Sequence, residues 1–317
     1  MNVSKQQKLV LGVCASLVLA LLPWRTVHAI EGGESAIGEN VVTMITRDSV
    51  GRLNQQCSGN VIAPRLVVTA KHCFPMFNSV NPLRSLTDVA FPGSDLNGPF
   101  KTAKILSVIT TPGDYVVNSD DLAIVITDIN LPVIGNLRIA TKDDIERFRM
   151  SNPSAVTFGY GSNANSGDMQ KTPSKMVHKF IANHENIPIE SFSIEYIGKS
   201  AYMCGGDSGG PSYVMENDTM VYIGPTSSGT REGCAYGVRG GPFRLNGSAL
   251  AFKDALLFRA QETLRELQLK EELDASIAAK NSRVIKSKPA TICVKGIIVK
   301  KVSGKNSKCP KGFKTRK

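Results

Sequence analysis

Residues 57–73 read Cys-Ser-Gly-Asn-Val-Ile-Ala-Pro-Arg-Leu-Val-Val-Thr-Ala-Lys-His-Cys. Within this stretch the run Arg65–Ala70 is short, β-branched and apolar, which is the signature of a buried strand. The same pattern recurs on both sides, at Val41–Ile45, Leu122–Ile126, Ala155–Phe158, Ser191–Tyr196 and Met220–Ile223. Asn-Pro, Pro-Gly, Asn-Gly and Ser-Gly turn signals separate these runs at irregular spacing. No alternation of strands with helices interrupts them. An all-β barrel or sandwich assembly is therefore expected from Ile30 to about Phe243.

The pattern changes after Gly247. Residues Ala249–Ala279 contain no Gly or Pro, and Leu257, Ala260, Leu264 and Leu267 recur with helical spacing. This predicts a C-terminal helix docking on the barrel, since sustained heptads are missing. Beyond it, residues 284–317 alternate β-branched residues around a Gly-containing turn. That predicts a small hairpin clamped by Cys293 and Cys309, with its lysines on a solvated face. So few residues bury little apolar area, so the crosslink would carry much of the stability.

The chain has 317 residues and a net charge of +11, but the charge is unevenly placed. Residues 281–317 hold twelve Lys or Arg and no acid, and residues 1–29 hold Lys5, Lys8 and Arg25 with no acid. Residues 30–280 are left at −4. The N-terminal residues have the form of a signal peptide: Lys5 and Lys8, then the apolar run Leu9–Pro23, then Val27-His28-Ala29 at the cleavage position. Export is expected, and with it removal of Cys14. Six cysteines would remain, an even number that suits a disulfide framework in an oxidising compartment. They fall into the close pairs Cys57 and Cys73, Cys204 and Cys234, and Cys293 and Cys309. Three local bridges are expected, although the sequence alone leaves every connectivity open. None of the pairs has Cys-x-x-Cys spacing, so a zinc site is not expected. The expected organisation is 1–29 signal peptide, 30–262 main β domain, 263–283 helical extension and linker, and 284–317 basic tail.

Three segments carry chemistry: Thr69-Ala-Lys-His72-Cys73, Asn118-Ser-Asp-Asp121-Leu-Ala-Ile-Val125, and Cys204-Gly-Gly-Asp-Ser208-Gly-Gly-Pro211. A serine hydroxyl is a poor nucleophile unless a base removes its proton during attack. An imidazole can take and return a proton near neutral pH. A carboxylate can hold that imidazole in one tautomer and stabilise its charged form. Gly206-x-Ser208-x-Gly210 also fits the nucleophile elbow of α/β-hydrolases, whose order is serine, acid, histidine. No histidine follows Ser208, His184 being the last, so that reading fails. The Asp-before-His order has only Asp48 close upstream of His72. His178 and His184 lack the His-Glu-x-x-His pattern of metallohydrolases. The order His72, Asp121, Ser208 survives, with Asp120 as a rival acid.

Together these segments resemble the chymotrypsin/trypsin-like serine protease family, in order and spacing, from residue 30 to about 260. The resemblance implies two six-stranded Greek-key β-barrels followed by a C-terminal helix. It implies His72 as base, Asp121 as its orienting acid, Ser208 as nucleophile, and the N–H groups of Gly206 and Ser208 as the oxyanion hole. It implies a Cys57–Cys73 bridge beside the base and a Cys204–Cys234 bridge beside the substrate pocket. Gly159-Tyr160-Gly161 resembles the family's Gly-Trp-Gly turn. Ile30-Glu-Gly-Gly33 resembles the activated N-terminus, whose amine would pair with Asp207. Tyr202 falls at the floor of the specificity pocket, where trypsin-like members carry Asp. Ser228, Gly229 and Thr230 would line one wall, with Gly240 or Gly241 opposite. Small or medium apolar residues rather than Arg or Lys are the expected preference.

The expected activity is that of an exported, monomeric serine endopeptidase acting on proteins or peptides, with no cofactor and no metal. The alternative is a protease-fold protein that binds an anionic cell-surface polymer through its basic tail. That tail resembles a short basic, cysteine-paired C-terminal segment found on some secreted bacterial proteins. Specific nucleic-acid binding is not expected, because Phe313 is the tail's one aromatic residue and offers little stacking.

Overall fold

The computed structural model describes residues 34–36, 39–47, 49–51, 53–74, 86–112, 121–151, 153–161, 178–184, 194–197, 203–229, 242–245, 254–285, 290–303 and 308–316. Strands β1 (Glu34–Ser35), β2 (Val41–Arg47), β3 (Leu53–Ala63), β4 (Leu66–Thr69), β5 (Asp88–Ala90), β6 (Thr102–Thr110) and β7 (Ala123–Thr127) make up the first part of the chain. After β8 (Leu137–Ile139) comes helix α1 (Lys142–Ser151). It is followed by β9 (Ala155–Gly159), β10 (His178–His184), β11 (Ile194–Ile197), β12 (Pro211–Glu216), β13 (Thr219–Gly229) and β14 (Pro242–Leu245). Helix α2 (Asp254–Ile285) leads to β15 (Ala290–Lys295), β16 (Ile298–Ser303) and β17 (Lys314–Thr315).

Strands β2-β3-β4-β7-β6-β5 close into a barrel, because β2 pairs with β5 at the end of the circuit. Closure leaves no unpaired edge, and it lets alternate side chains fill one interior. Val42, Met44, Val61, Val67, Val89 and Val125 form that interior. All four residues of β4 and all five of β7 are buried, so both faces of these strands are covered. Each buried Val, Leu or Ile contributes roughly 1.5–3 kcal/mol. The second set of strands pairs in the circuit β9-β10-β11-β14-β13-β12 and back to β9, with β1 added to β10 and β8 to β13. Phe158, Tyr213 and Tyr222 are buried within it, the first two edge-on with ring centroids 5.5 Å apart. The fold is therefore all-β with two barrels and a C-terminal helix. From residues 65–70 outward the sequence indicated an all-β barrel or sandwich, and the two barrels are those that the family resemblance implied.

Helix α1 was not anticipated; it is short, six of its ten residues are charged, and Ile145 and Phe148 are its buried apolar side chains. Its start is nonetheless specified locally. Asp144 N–H donates to Thr141 Oγ1 (3.1 Å), while Thr141 N–H donates to Asp144 Oδ2 (2.9 Å), a reciprocal cap. Arg138 and Arg147 both bind Asp144 and Glu216, which tie the helix to β8 and β12. Donation from the Arg138 guanidinium holds the Asp144 carboxyl well below the usual carboxylate range.

The chain divides into two compact units, Met1–Ala260 and Gln261–Lys317. Helix α2 begins at Asp254 and runs continuously to Ile285, past the expected Ala279. Of its residues whose burial is described, Leu256 and Ala260 are buried, and the other members of the expected apolar face, Leu257, Leu264 and Leu267, are half-buried. In the second unit β15 and β16 form the expected hairpin, and β17 adds an unanticipated third strand on the far side of β15. A Cys293–Cys309 disulfide holds the sheet, and Cys293 is fully buried there. No helix among the described residues is long and apolar enough to cross a membrane.

Candidate active site

His72 stands in a single 3-10 turn, Lys71–Cys73, at the end of buried strand β4. Three restraints position that turn. Cys73 is disulfide-bonded to Cys57 on β3. The buried Lys71 Nζ donates to the Thr111 carbonyl at 2.9 Å. The third restraint is Asp121, buried just before β7, whose Oδ1 accepts the His72 backbone N–H at 2.8 Å.

The same carboxylate meets the ring: His72 Nδ1 lies 2.6 Å from Asp121 Oδ2. A carboxylate oxygen at that distance fixes the proton on Nδ1 and leaves Nε2 as the basic nitrogen. Ser227 Oγ, on β13 of the second barrel, donates to the same Oδ2 at 2.6 Å. Asp121 is thus held by donors from both barrels. Asp120, the rival acid, lies outside the described residues.

The Gly-Asp-Ser-Gly-Gly turn is built around a buried carboxyl. Asp207 is fully buried; its Oδ1 accepts Gly161 N–H at 2.7 Å and its Oδ2 accepts Cys204 N–H at 2.8 Å. Burial pushes its pKa up to about 7, against the two N–H groups that favour the ionised form. Gly159 and Gly161 make room for it, since a Cβ at either position would overlap the Asp207 side chain. This gives the Gly-Tyr-Gly turn a steric explanation.

Ser58, adjacent to Cys57, fastens this turn to the first barrel. Its N–H donates to the Ser208 carbonyl (2.8 Å) and its Oγ donates to the Gly206 carbonyl (2.8 Å). The same Oγ accepts Tyr160 N–H at 2.8 Å. Gly209 follows Ser208 with φ 81°, packed so closely against Thr69 and Ser58 that a Cβ would overlap both. The backbone of Ser208 is thereby pressed onto the strand pair that carries His72, with Cys73 Sγ 4.0 Å from the Ser208 carbonyl. Among the described residues the N–H groups of Gly206 and Ser208 have no acceptor, whereas those of Asp207, Gly209 and Gly210 donate to the Cys204, Thr226 and Asp207 carbonyls.

Ser58 and Ser227 were missed in the sequence. Both are common residues in strands, and only long-range pairing gives them their contacts. Cys204 is disulfide-bonded, and Cys234, its expected partner, lies outside the described residues. So do Ile30, Tyr202, Thr230, Gly240 and Gly241. Ser228 and Gly229 fall in β13, paired with Arg244 and Phe243 of β14. Cys57, His72 and Cys73 bring possible ligand atoms within 4.8 Å of one another, but both sulfurs are taken up in the disulfide and supply no thiolate.

Two antiparallel barrels, with a buried aspartate on a histidine and a glycine-framed Asp-Ser turn between them, define the two-barrel serine protease class. The sequence comparisons agree. The model of the family described as Trypsin matches residues 30–245, and the chain belongs to that family. It is similar to transmembrane protease serine 11G of Rattus norvegicus, 26% identical over 178 residues, covering 53% of this chain and 41% of that protein. The Mus musculus protein of the same name is similar to the same extent. The match spans about two fifths of the length of these relatives. The disulfides suit an extracellular protein.

Proposed function

We propose that the two-barrel unit is an exported serine endopeptidase in which Ser208 attacks the scissile carbonyl. The reading rests chiefly on the 2.6 Å contact between His72 Nδ1 and Asp121 Oδ2. With Nδ1 committed, Nε2 takes the Ser208 proton as the C–O bond forms. Negative charge then develops on the carbonyl oxygen. The N–H groups of Gly206 and Ser208, without acceptors among the described residues, are the donors assigned to it. Collapse expels the amine, which receives the proton from Nε2. Water, deprotonated by the same nitrogen, then hydrolyses the acyl-enzyme. Asp121 orients the imidazole and stabilises the imidazolium.

Removal of residues 1–29 would free the Ile30 amine. The buried Asp207 carboxyl, raised by desolvation, is the group this cation would neutralise. Tyr202, which by the family resemblance falls where trypsin-like members carry Asp, argues against Arg or Lys recognition and for small or medium apolar side chains. Labelling with a fluorophosphonate tests the mechanism: the chain should label, and Ser208→Ala and His72→Ala should not. Equal labelling of Ser208→Ala would remove Ser208 as the nucleophile.

The tail carries a second reading, as an anchoring segment for an anionic surface. It is favoured by the concentration of twelve basic residues and no acid in residues 281–317.

A further inference from the structure

The three-stranded sheet of the second unit has two unlike faces. Residues paired directly across a sheet share a face, and faces alternate along a strand. Cys293, paired with Lys300 and Thr315, lies on the face closed by the disulfide to Cys309, and there Lys300 Nζ sits 5.3 Å from the Phe313 ring centroid. The opposite face carries Ile292 paired with Lys301, and Val294 paired with Val299 and Lys314. Its apolar residues are not covered: Ile292 is 42% and Val299 56% exposed. At the hairpin tip Ile297 is 100% exposed, beside Ile298 at 52%. Gly296 holds this tip in a two-residue turn with φ 56°, the conformation a first turn position of type II′ requires.

We infer that this face, with the hairpin tip, is a peripheral docking surface for an anionic phospholipid bilayer, with Ile297 and Val299 entering the headgroup–acyl boundary and the lysines binding lipid phosphates. This rests on the reading of the tail as an anchoring segment and is independent of catalysis. A polyanion would be satisfied by the lysines alone and would leave a fully exposed isoleucine in water. A bilayer has both parts that the surface needs, an anionic plane and an apolar layer beneath it. The charge is complementary throughout, since no carboxylate side chain occurs from residue 281 to 317.

The full chain carrying Trp24→Phe and Ile297→Trp has one tryptophan, at the tip. On vesicles of phosphatidylglycerol mixed with phosphatidylcholine its emission should shift to the blue and be quenched by lipids brominated in the upper acyl chain. Phosphatidylcholine vesicles alone should produce neither effect. In sedimentation with the mixed vesicles, Ile297→Ser/Val299→Ser should lower partitioning on the order of tenfold. Raising salt from about 0.1 M to about 0.5 M should weaken the unsubstituted chain. Free-thiol titration and mass analysis of the serine variant should show the Cys293–Cys309 bridge intact, so that a loss of binding reports the surface and not the fold. Unchanged partitioning of the serine variant, or an unshifted and unquenched tip tryptophan, would overturn the proposal. So would equal affinity of both forms for soluble polyphosphate without vesicle binding, which would make the occupant a polymer. A vesicle-independent dimer abolished by the serine substitutions would assign the face to a second copy instead.

Discussion

Asp207 shows how one side chain can impose conditions on its neighbours. A carboxyl with no exposure and two N–H donors is incompletely compensated, and its pKa of about 7 records that cost. Where no cation reaches it, the folded chain holds this proton more tightly than the unfolded chain. Stability is then undiminished below the ordinary carboxylate range and is lost as pH rises through about 7. On the proposed Ile30–Asp207 pairing, a chain beginning at Ile30 should behave differently, because its amine would neutralise the carboxylate. Urea melts at pH 5 and 8 should therefore show a large fall for a form extended by two residues before Ile30, and little change for the Ile30 form. Equal slopes would separate Ile30 from Asp207. Ser227 offers a second residue-scale prediction. Ser227→Ala removes one of the donors to Asp121, and a hydrogen bond to a charged group is worth about 1.5–3 kcal/mol. Peptide hydrolysis should show kcat lowered on the order of tenfold with KM nearly unchanged.

At the scale of elements, the 3-10 turn bearing His72 is too short to hold itself in place. Its position is set by β4, by the Lys71–Thr111 contact and by the Cys57–Cys73 bridge, whose partners lie 16 residues apart. Closing a loop of that size stabilises by about 3 kcal/mol in the chain-entropy account. Cys57→Ser/Cys73→Ser should lower stability by about that amount in denaturant titration and depress kcat more than KM, because the base loses its anchor. Helix α1 is a contrasting case. Its reciprocal cap at Thr141 and Asp144 is remote in sequence from the site, and Thr141→Ala should cost about 1 kcal/mol. Peptide turnover by that variant at a temperature where it is folded should be normal.

For the whole molecule, charge and chemistry are divided. The proposed catalytic groups lie in Met1–Ala260, whereas the basic segment 281–317, which holds no acidic residue, lies within Gln261–Lys317. Truncation after Ile285 removes all of the twelve basic residues except Arg283. Turnover of a small soluble peptide should survive this truncation, and salt-sensitive retention on an anionic surface should disappear. Loss of turnover by a folded truncated chain would show that the two activities are not separable.

The linear order of residues determined much of this protein without help from the fold. Strand-forming runs between turn signals define a β protein, because side-chain alternation and turn chemistry are local properties. His72, Asp121 and Ser208 stand out because their three segments are distinctive in combination, although the sequence leaves Asp120 as a rival to Asp121. The close spacing of Cys57 and Cys73, and of Cys293 and Cys309, likewise anticipated the two bridges seen between described residues. Other properties were decided only by the tertiary structure. Ser58 and Ser227 are unremarkable until barrel closure places them against the Gly206–Ser208 turn and the Asp121 carboxylate. The separation of the tail's apolar and disulfide-bearing faces depends on the register of β15 with β16 and β17. Such contacts join distant residues: Ser58 and Gly206 are 148 positions apart. Their energy depends on which surfaces meet, and no local pattern encodes that.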